Sequence, residues 1–318
     1  MKKIISKSFV LLPFVLAACT SVPAVKNESE TESPSNHSVK ESPAENTKDT
    51  QFIKELENVN LKLSSSPKAT VTGTAFNTAF SVTVTGKDGA ALSAYPVTVS
   101  YPAAKTEGKI SFATAELITD QNGLCTFTAE KPDFACNEKI TFYPTPVSDS
   151  KETLEAAENK AVSAEWKVKS DITKKGAVLF IWEFNERGRP TGNSYGVLSK
   201  LKAWGIWNVG NAPVNEPSDI GKPLTTLYKE NYEIIEDQYG YLICGTIKFS
   251  QPVTALESGD GYCCTMVAEI SAVNMKNGKV VYTNNYEQYA EGSNWNNVTQ
   301  TCKDKLSKTI ADSLIFGL

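Results

Sequence analysis

The chain has 318 residues, with 32 Lys+Arg against 36 Asp+Glu, one His and seven Cys. That length accommodates about two domains, each large enough for a core of its own. A pI of about 5.4 excludes nucleic-acid binding driven by bulk charge, and a single histidine, His37, removes most Ser-His, Cys-His and His-metal chemistry.

Residues 1–18 read as an export signal. Lys2, Lys3 and Lys7 supply a charged start, and Phe9 to Leu16 form an apolar run that Pro13 interrupts. The run is shorter than the ~20 residues that cross a bilayer, so it fits a signal removed on export. It ends Leu16-Ala17-Ala18-Cys19, which resembles the lipobox of bacterial lipoproteins. The resemblance implies cleavage before Cys19, a diacylglyceryl group on the Cys19 sulfur, and acylation of the new amine with a palmitate-type chain. Two or more such chains make a stable anchor, at ~0.8 kcal/mol per buried methylene. Thr20 stands where Asp would mark inner-membrane retention in enteric bacteria. The resemblance therefore implies the outer membrane, on its periplasmic or its surface face. No later stretch reads as a transmembrane helix.

Residues 19–58 read as the lipidated Cys19 and a tether. From 20 to 50 there is no aromatic residue and no Leu, Ile or Met, while Ser, Thr, Glu, Asn and Pro dominate. Such a segment cannot offset its ordering entropy by burial. As a flexible coil it would span ~30 Å on average and ~100 Å pulled straight. His37 falls here with no residue at ligand spacing.

Residues 59–172 change texture to short alternating strands between turn signals. Strands are expected over 79–85, 95–101, 109–115, 124–129, 139–143 and 161–168, with Asp88-Gly89 and Asn122-Gly123 as turns. The polar stretch 148–160 reads as a loop or a short surface helix. About seven strands at this spacing predict an antiparallel β-sandwich of immunoglobulin type. Val-Thr-Gly-Lys-Asp-Gly-Ala-Ala-Leu-Ser-Ala-Tyr-Pro-Val-Thr-Val at 84–99, with Thr119-Asp-Gln-Asn-Gly-Leu-Cys-Thr-Phe127, resembles the bacterial Ig-like repeats of invasin and intimin. The resemblance implies a spacer or adhesive rod and carries over no site residues. The pattern occurs once here rather than in an array, and Cys125 and Cys136 depart from it.

Residues 174–318 mix the two periods, after a boundary expected at 170–176. A buried strand is expected over 177–184, a helix over 195–204, a short strand over 206–209 and a helix over 217–239. Strands then follow over 241–249, 262–275 and 279–289, the last two joined by Lys276-Asn277-Gly278. Ser293 or Asn294 caps a final helix whose stripe is Trp295, Val298, Cys302, Leu306, Ile310 and Leu314. The predicted fold is α+β, an α/β sandwich of helices on a mainly antiparallel sheet. Tyr-Leu-Ile-Cys-Gly-Thr-Ile from Tyr241, the hairpin Ala-Val-Asn-Met-Lys-Asn-Gly-Lys-Val-Val-Tyr from Ala272, and the terminal helix are similar to one group of envelope domains. These are the periplasmic domains of the curli-secretion channel lipoprotein, the flagellar outer-membrane lipoproteins and the lipoprotein activators of penicillin-binding proteins. Ser258-Gly259-Asp260-Gly261 departs from their compact pattern.

Catalytic signatures are absent from the sequence. No Gly-x-Ser-x-Gly elbow occurs, and Gly221-Lys222-Pro223 lacks the upstream Gly of a phosphate loop. Arg187-Gly-Arg-Pro190 reads as a solvated turn rather than an anion site, and Glu183 and Glu186 show no reason to act as a glycosidase pair. In an exported protein Cys125 and Cys136 are candidates for a disulfide clip between neighbouring strands. Cys244 and Cys302 sit at apolar-phase positions as buried thiols, and the adjacent Cys263 and Cys264 lack metal-ligand spacing. Trp182, Trp204, Trp207 and Trp295 are expected in the core. The expected function is a non-enzymatic, lipid-anchored envelope protein without metal or cofactor. Its expected partners are the membrane, through Cys19, and an envelope protein that docks on the second unit. A surface adhesin using the Ig-like unit and an envelope enzyme acting on glycan are the alternatives.

Overall fold

The computed structural model describes residues 43–318 apart from Glu107. The export signal, Cys19 and His37 lie outside the described residues. Helix α1 (Pro43–Leu56) corrects the expectation of an unstructured tether to residue 58. Its polar composition hides one apolar pair, Phe52 and Leu56, four residues apart and buried against Ala157. Ser148 Oγ donates to Asp49 Oδ1 at 2.8 Å and fixes the same contact from its polar side.

The first unit runs β1 (Val59–Ser65), β2 (Thr70–Val71), β3 (Phe80–Gly86), β4 (Pro96–Thr106), β5 (Lys109–Ile118), β6 (Leu124–Phe127), β7 (Cys136–Pro144), α2 (Lys151–Glu158) and β8 (Val162–Lys169). The strands form two sheets, in the orders β1-β3-β6 and β2-β8-β7-β4-β5. Only β2 against β8 is parallel in this unit. Period-two alternation turns Phe80, Val82 and Val84 of β3 inward, where they meet Val97, Val99, Ile140, Phe142 and Trp166 of the larger sheet. Trp166 stacks on Phe80 at 5.4 Å and meets Phe76 edge-on at 4.9 Å. Burial of these faces against each other closes one core between two sheets.

The second unit runs α3 (Ile172–Lys175), β9 (Ala177–Phe184), β10 (Pro190–Asn193), α4 (Tyr195–Ala203), β11 (Val209–Asn211), α5 (Leu224–Ile235), β12 (Tyr241–Ala255), β13 (Tyr262–Asn274), β14 (Val280–Gly292) and α6 (Trp295–Gly317). Its sheet has the order β10-β9-β12-β13-β14, with β11 also on β9. The pairs β9–β12 and β9–β11 are parallel and the others antiparallel, so the sheet is mixed. The helix expected over 217–239 is shorter: a 3₁₀ turn occupies Pro217–Asp219, and Pro223 sets the start of α5.

The odd residues of β9, Ala177, Leu179 and Ile181, pack with Val197 and Leu201 of α4 and the α6 stripe. The even residues, Val178, Phe180, Trp182 and Phe184, face α5 through Leu227. Helix α6 starts where Asn294 Oδ1 accepts from Asn297 N at 2.9 Å, as expected of an Asn cap. It buries Val298, Cys302, Leu306, Ile310 and Leu314, which are four residues apart and so lie along one face. The turn after β13 needs glycine, because Gly278 has φ +69° and a Cβ there would lie 2.6 Å from the Tyr228 ring.

The expected boundary at 170–176 is a clamp. The last carbonyls of a helix lack intrahelical donors, and here the first unit supplies them. Ser170 N donates to Ile315 O at 2.6 Å and Ser170 Oγ to Leu314 O at 3.1 Å. Lys105 Nζ, from β4, donates to Gly317 O at 2.7 Å. Lys169 Nζ lies 5.0 Å from the centre of the Trp204 ring, and Lys174 Nζ donates to Thr74 Oγ1 at 3.0 Å.

Candidate docking site

Two features face outward without a partner among the described residues: a cleft lined by both units at their junction and the outer edge of β14. The cleft encloses about 410 Å³ and is lined by Lys105, Asp133, Asp171, Tyr241, Val281 and Leu318, among others. Asp171 and Lys105 are already engaged, while Asp133 is exposed. Asp171 pairs with Lys175 Nζ at 2.5 Å and accepts the Tyr241 hydroxyl. Burial first, then Asp171, pushes the Tyr241 phenol well above its ordinary pKa. Burial pushes the Lys105 ammonium down, while its protons reach Ala135 O and Gly317 O. Among the described residues the cleft lacks a nucleophile paired with a base.

Strand β14 ends the sheet, with β13 on one side and no strand on the other among the described residues. Its ladder to β13 runs unbroken from Tyr282 to Gly292. Alternation sends Tyr282 and Tyr286 onto α6, where the Tyr282 hydroxyl bonds both the Tyr286 hydroxyl and Ser313 Oγ. Burial holds the Tyr286 phenol above its ordinary value. The strand is therefore pinned from below and from one side. Its remaining surface is open: Val280 is 50% exposed, Val281 47% and Tyr289 46%, and Thr283, Asn285 and Glu287 are exposed with them. Edge strands that avoid pairing carry Lys, Pro or frequent bulges. Between Val280 and Gly292 there is no Lys and no Pro, the charges are Glu287 and Glu291, and the bulge at Val281 lies at the very start of the strand.

The residues singled out in the sequence fall as follows. Cys125 on β6 and Cys136 on β7 are free and buried, so the expected clip is not formed. The two strands belong to different sheets rather than being neighbours, which removes its premise. Burial raises the Cys136 thiol to about 12 and likewise Cys244, which sits under α5. Cys263 and Cys264 point to opposite faces of β13. Cys264 Sγ lies 3.9 Å from Val298 O, and Cys302 Sγ donates to Gln288 O at 3.1 Å. Arg187 and Arg189 are exposed in a turn closed by Asn185 Oδ1, which accepts both their backbone N–H groups at 3.0 Å. Glu183 pairs with Lys303 at 2.8 Å, Glu186 accepts from Val253 N at 2.7 Å, and Lys222 pairs with Asp219 and Glu230.

Two of the four tryptophans correct the expectation of burial. Trp182 is buried and Trp204 packs on the core, but Trp207 is 80% and Trp295 47% exposed. Trp207 lies beyond the end of α4, and Trp295 precedes Val298, where α6 first reaches the sheet. The β14 edge was missed as a site because an edge is a property of topology: the alternation of 279–289 is the same for a central strand. Among the described residues no group of three or more His, Cys, Asp or Glu is placed to hold a metal ion.

Residues 176–315 match the family described as TP0693-like lipoprotein, C-terminal domain. No curated protein matches the chain. Solved structures give similar but distant matches. The PelC dodecamer from Paraburkholderia phytofirmans is 16% identical with a TM-score of 0.28, over 44% of this chain and 86% of that one. Lipoprotein GNA1162 from Neisseria meningitidis is 14% identical with a TM-score of 0.26, over 43% of this chain and 96% of that one. CT253 from Chlamydia trachomatis is 10% identical with a TM-score of 0.30, over 44% and 95%. Likeness at this level carries nothing about activity or partners. Among the described residues no helix is long and apolar enough to cross a membrane.

Proposed function

We propose that this chain is a non-enzymatic lipoprotein of the outer membrane, fastened through acyl chains on Cys19. In this reading the first unit is an Ig-like spacer, and the second docks another polypeptide along β14 by strand addition. The observation that carries the docking is the long β14 edge, which lacks the Lys and Pro that block pairing. The Ig-like reading is supported by two sheets of short strands closing over one core. The clamp at Ser170 and Lys105 supports a spacer that sets the direction of the edge, since it joins the units at several points.

Labelled palmitate tests the anchor: incorporation into the wild-type protein and none into Cys19→Ser is expected. Chemical crosslinking in intact membranes tests the docking, comparing wild type with Thr283→Lys and Asn285→Lys. These variants place a cation on the exposed edge without touching the α6 face. Loss of the wild-type adduct in both variants is expected, and an adduct unchanged in both would contradict the docking.

A further inference from the structure

We propose that the polypeptide docked on β14 is a second copy of this chain, paired antiparallel about a two-fold axis at Asn285. This rests on the reading of β14 as the docking strand and names its partner. The argument begins with charge. Lys276 and Lys279 precede β14, whereas Glu287 and Glu291 lie in its second half. A strand that is basic at its start and acidic at its end is complementary to its own antiparallel copy.

Register follows from the same residues. A two-fold pairing is isologous, so the position on the axis meets itself. An axis at Glu287 would set like charges face to face, which is destabilising in directly opposite positions. An axis at Tyr286 would set Val281 against Glu291. With Asn285 on the axis, Thr283 meets Glu287, Asn284 meets Tyr286, and Tyr282 meets Gln288. Both ends then match: counting on through the bulge at Val281, Val281 of each copy comes against Tyr289 of the other, Val280 against Ala290, and Lys279 beside Glu291. This accounts for large apolar residues left about half exposed at the two ends of one edge strand. Branched aliphatic and aromatic side chains are favoured cross-strand partners. Val281 also borders the junction cleft, so Tyr289 of the second copy sits at its mouth. The result is one sheet continuous through both molecules, with neither β14 edge exposed.

Asn285→Cys tests the axis in the full-length, membrane-anchored protein. The six cysteines from Cys125 onward are buried, which leaves position 285 as the reactive thiol on this surface. Mild oxidation is expected to give a disulfide-linked homodimer for Asn285→Cys and none for Thr114→Cys, a control on β5. Sedimentation of the detergent-solubilised wild type is expected to show a dimer. Glu291→Lys should weaken that dimer about tenfold, because two attractive pairs become repulsive, and adding Lys279→Glu should restore it. A crosslink from position 285 to a different protein would overturn the self-pairing and leave the docking strand standing. A monomeric wild type with no crosslink from position 285 would overturn both.

Discussion

The two units solve the problem of covering a sheet in different ways. In the first, one sheet covers another: Phe80, Val82 and Val84 meet Val99, Phe142 and Trp166, while Phe112 and Ile118 on its edge strand β5 stay exposed. In the second, α4 and α6 cover one face fully, while α5 covers part of the other through Leu227. Both units have edges, and the edges also differ. Each ladder has one register shift: that of β5 falls within its length, opposite Pro102 to Ala104 of its neighbour, whereas that of β14 falls at its start, at Val281, and leaves the run from Tyr282 to Gly292 unbroken. The two edges therefore differ in the length of regular ladder behind them rather than in whether apolar side chains are exposed.

The largest test of this contrast is Trp166→Ala. It removes the ring that stacks on Phe80 and contacts Phe76, and is expected to cost ~3–5 kcal/mol. Hydrogen exchange followed by mass spectrometry should show faster exchange in β3, β7 and β8, with β12 and β13 protected as before. Equal loosening of both units would mean that they share one folding unit.

A smaller effect is expected at the clamp. Ser170→Ala removes the hydroxyl that reaches Leu314 O, at a cost of about 1 kcal/mol. It should raise exchange in the last turn of α6 and leave Val298 to Leu306 unchanged.

Acid gives the next test. Asp219 is held below the ordinary carboxylate value, first by the Lys222 ammonium and then by the Glu216 N–H. Its contribution is therefore complete above the unfolded-state value of about 4 and is lost as pH falls through the lower folded value. The turn before α5 should loosen only below about pH 4, measured by the chemical shifts of Ile220 and Leu224. Loosening between pH 5 and 7 would contradict the pairing.

The smallest stability effect is expected on β14. At a concentration low enough to dissociate the dimer, Tyr289→Ser should change stability little, within about 0.5 kcal/mol as for a surface site. A large destabilisation would show that the edge serves the fold rather than a partner.

Much of this was legible in the sequence. Alternation located β3 to β9 and β12 to β14, and Asn294 with the four-residue stripe located α6, because periodicity and capping are local. Other features were not legible. The stripe of α1 has two apolar members in a polar segment, and their burial depends on Ala157, a hundred residues away. Strand β10 begins at Pro190, the last residue of the segment read as a solvated turn, and was not expected, since Pro190 to Asn193 lacks alternation and pairs only because β9 offers an edge. The clamp was invisible because Ser170 and Lys105 act on backbone carbonyls of α6, which carry no sequence signature. The exposure of Trp207 and Trp295 depends on where a helix meets the sheet, and composition does not record that.

The central claim is that β14, and not the first unit, meets another polypeptide. Photo-crosslinking in intact cells, from a benzophenone amino acid placed at Asn285 and separately at Thr114 of β5, tests it most directly. A discrete adduct from position 285 with none from position 114 is predicted. Adducts from position 114 with none from position 285 would contradict it.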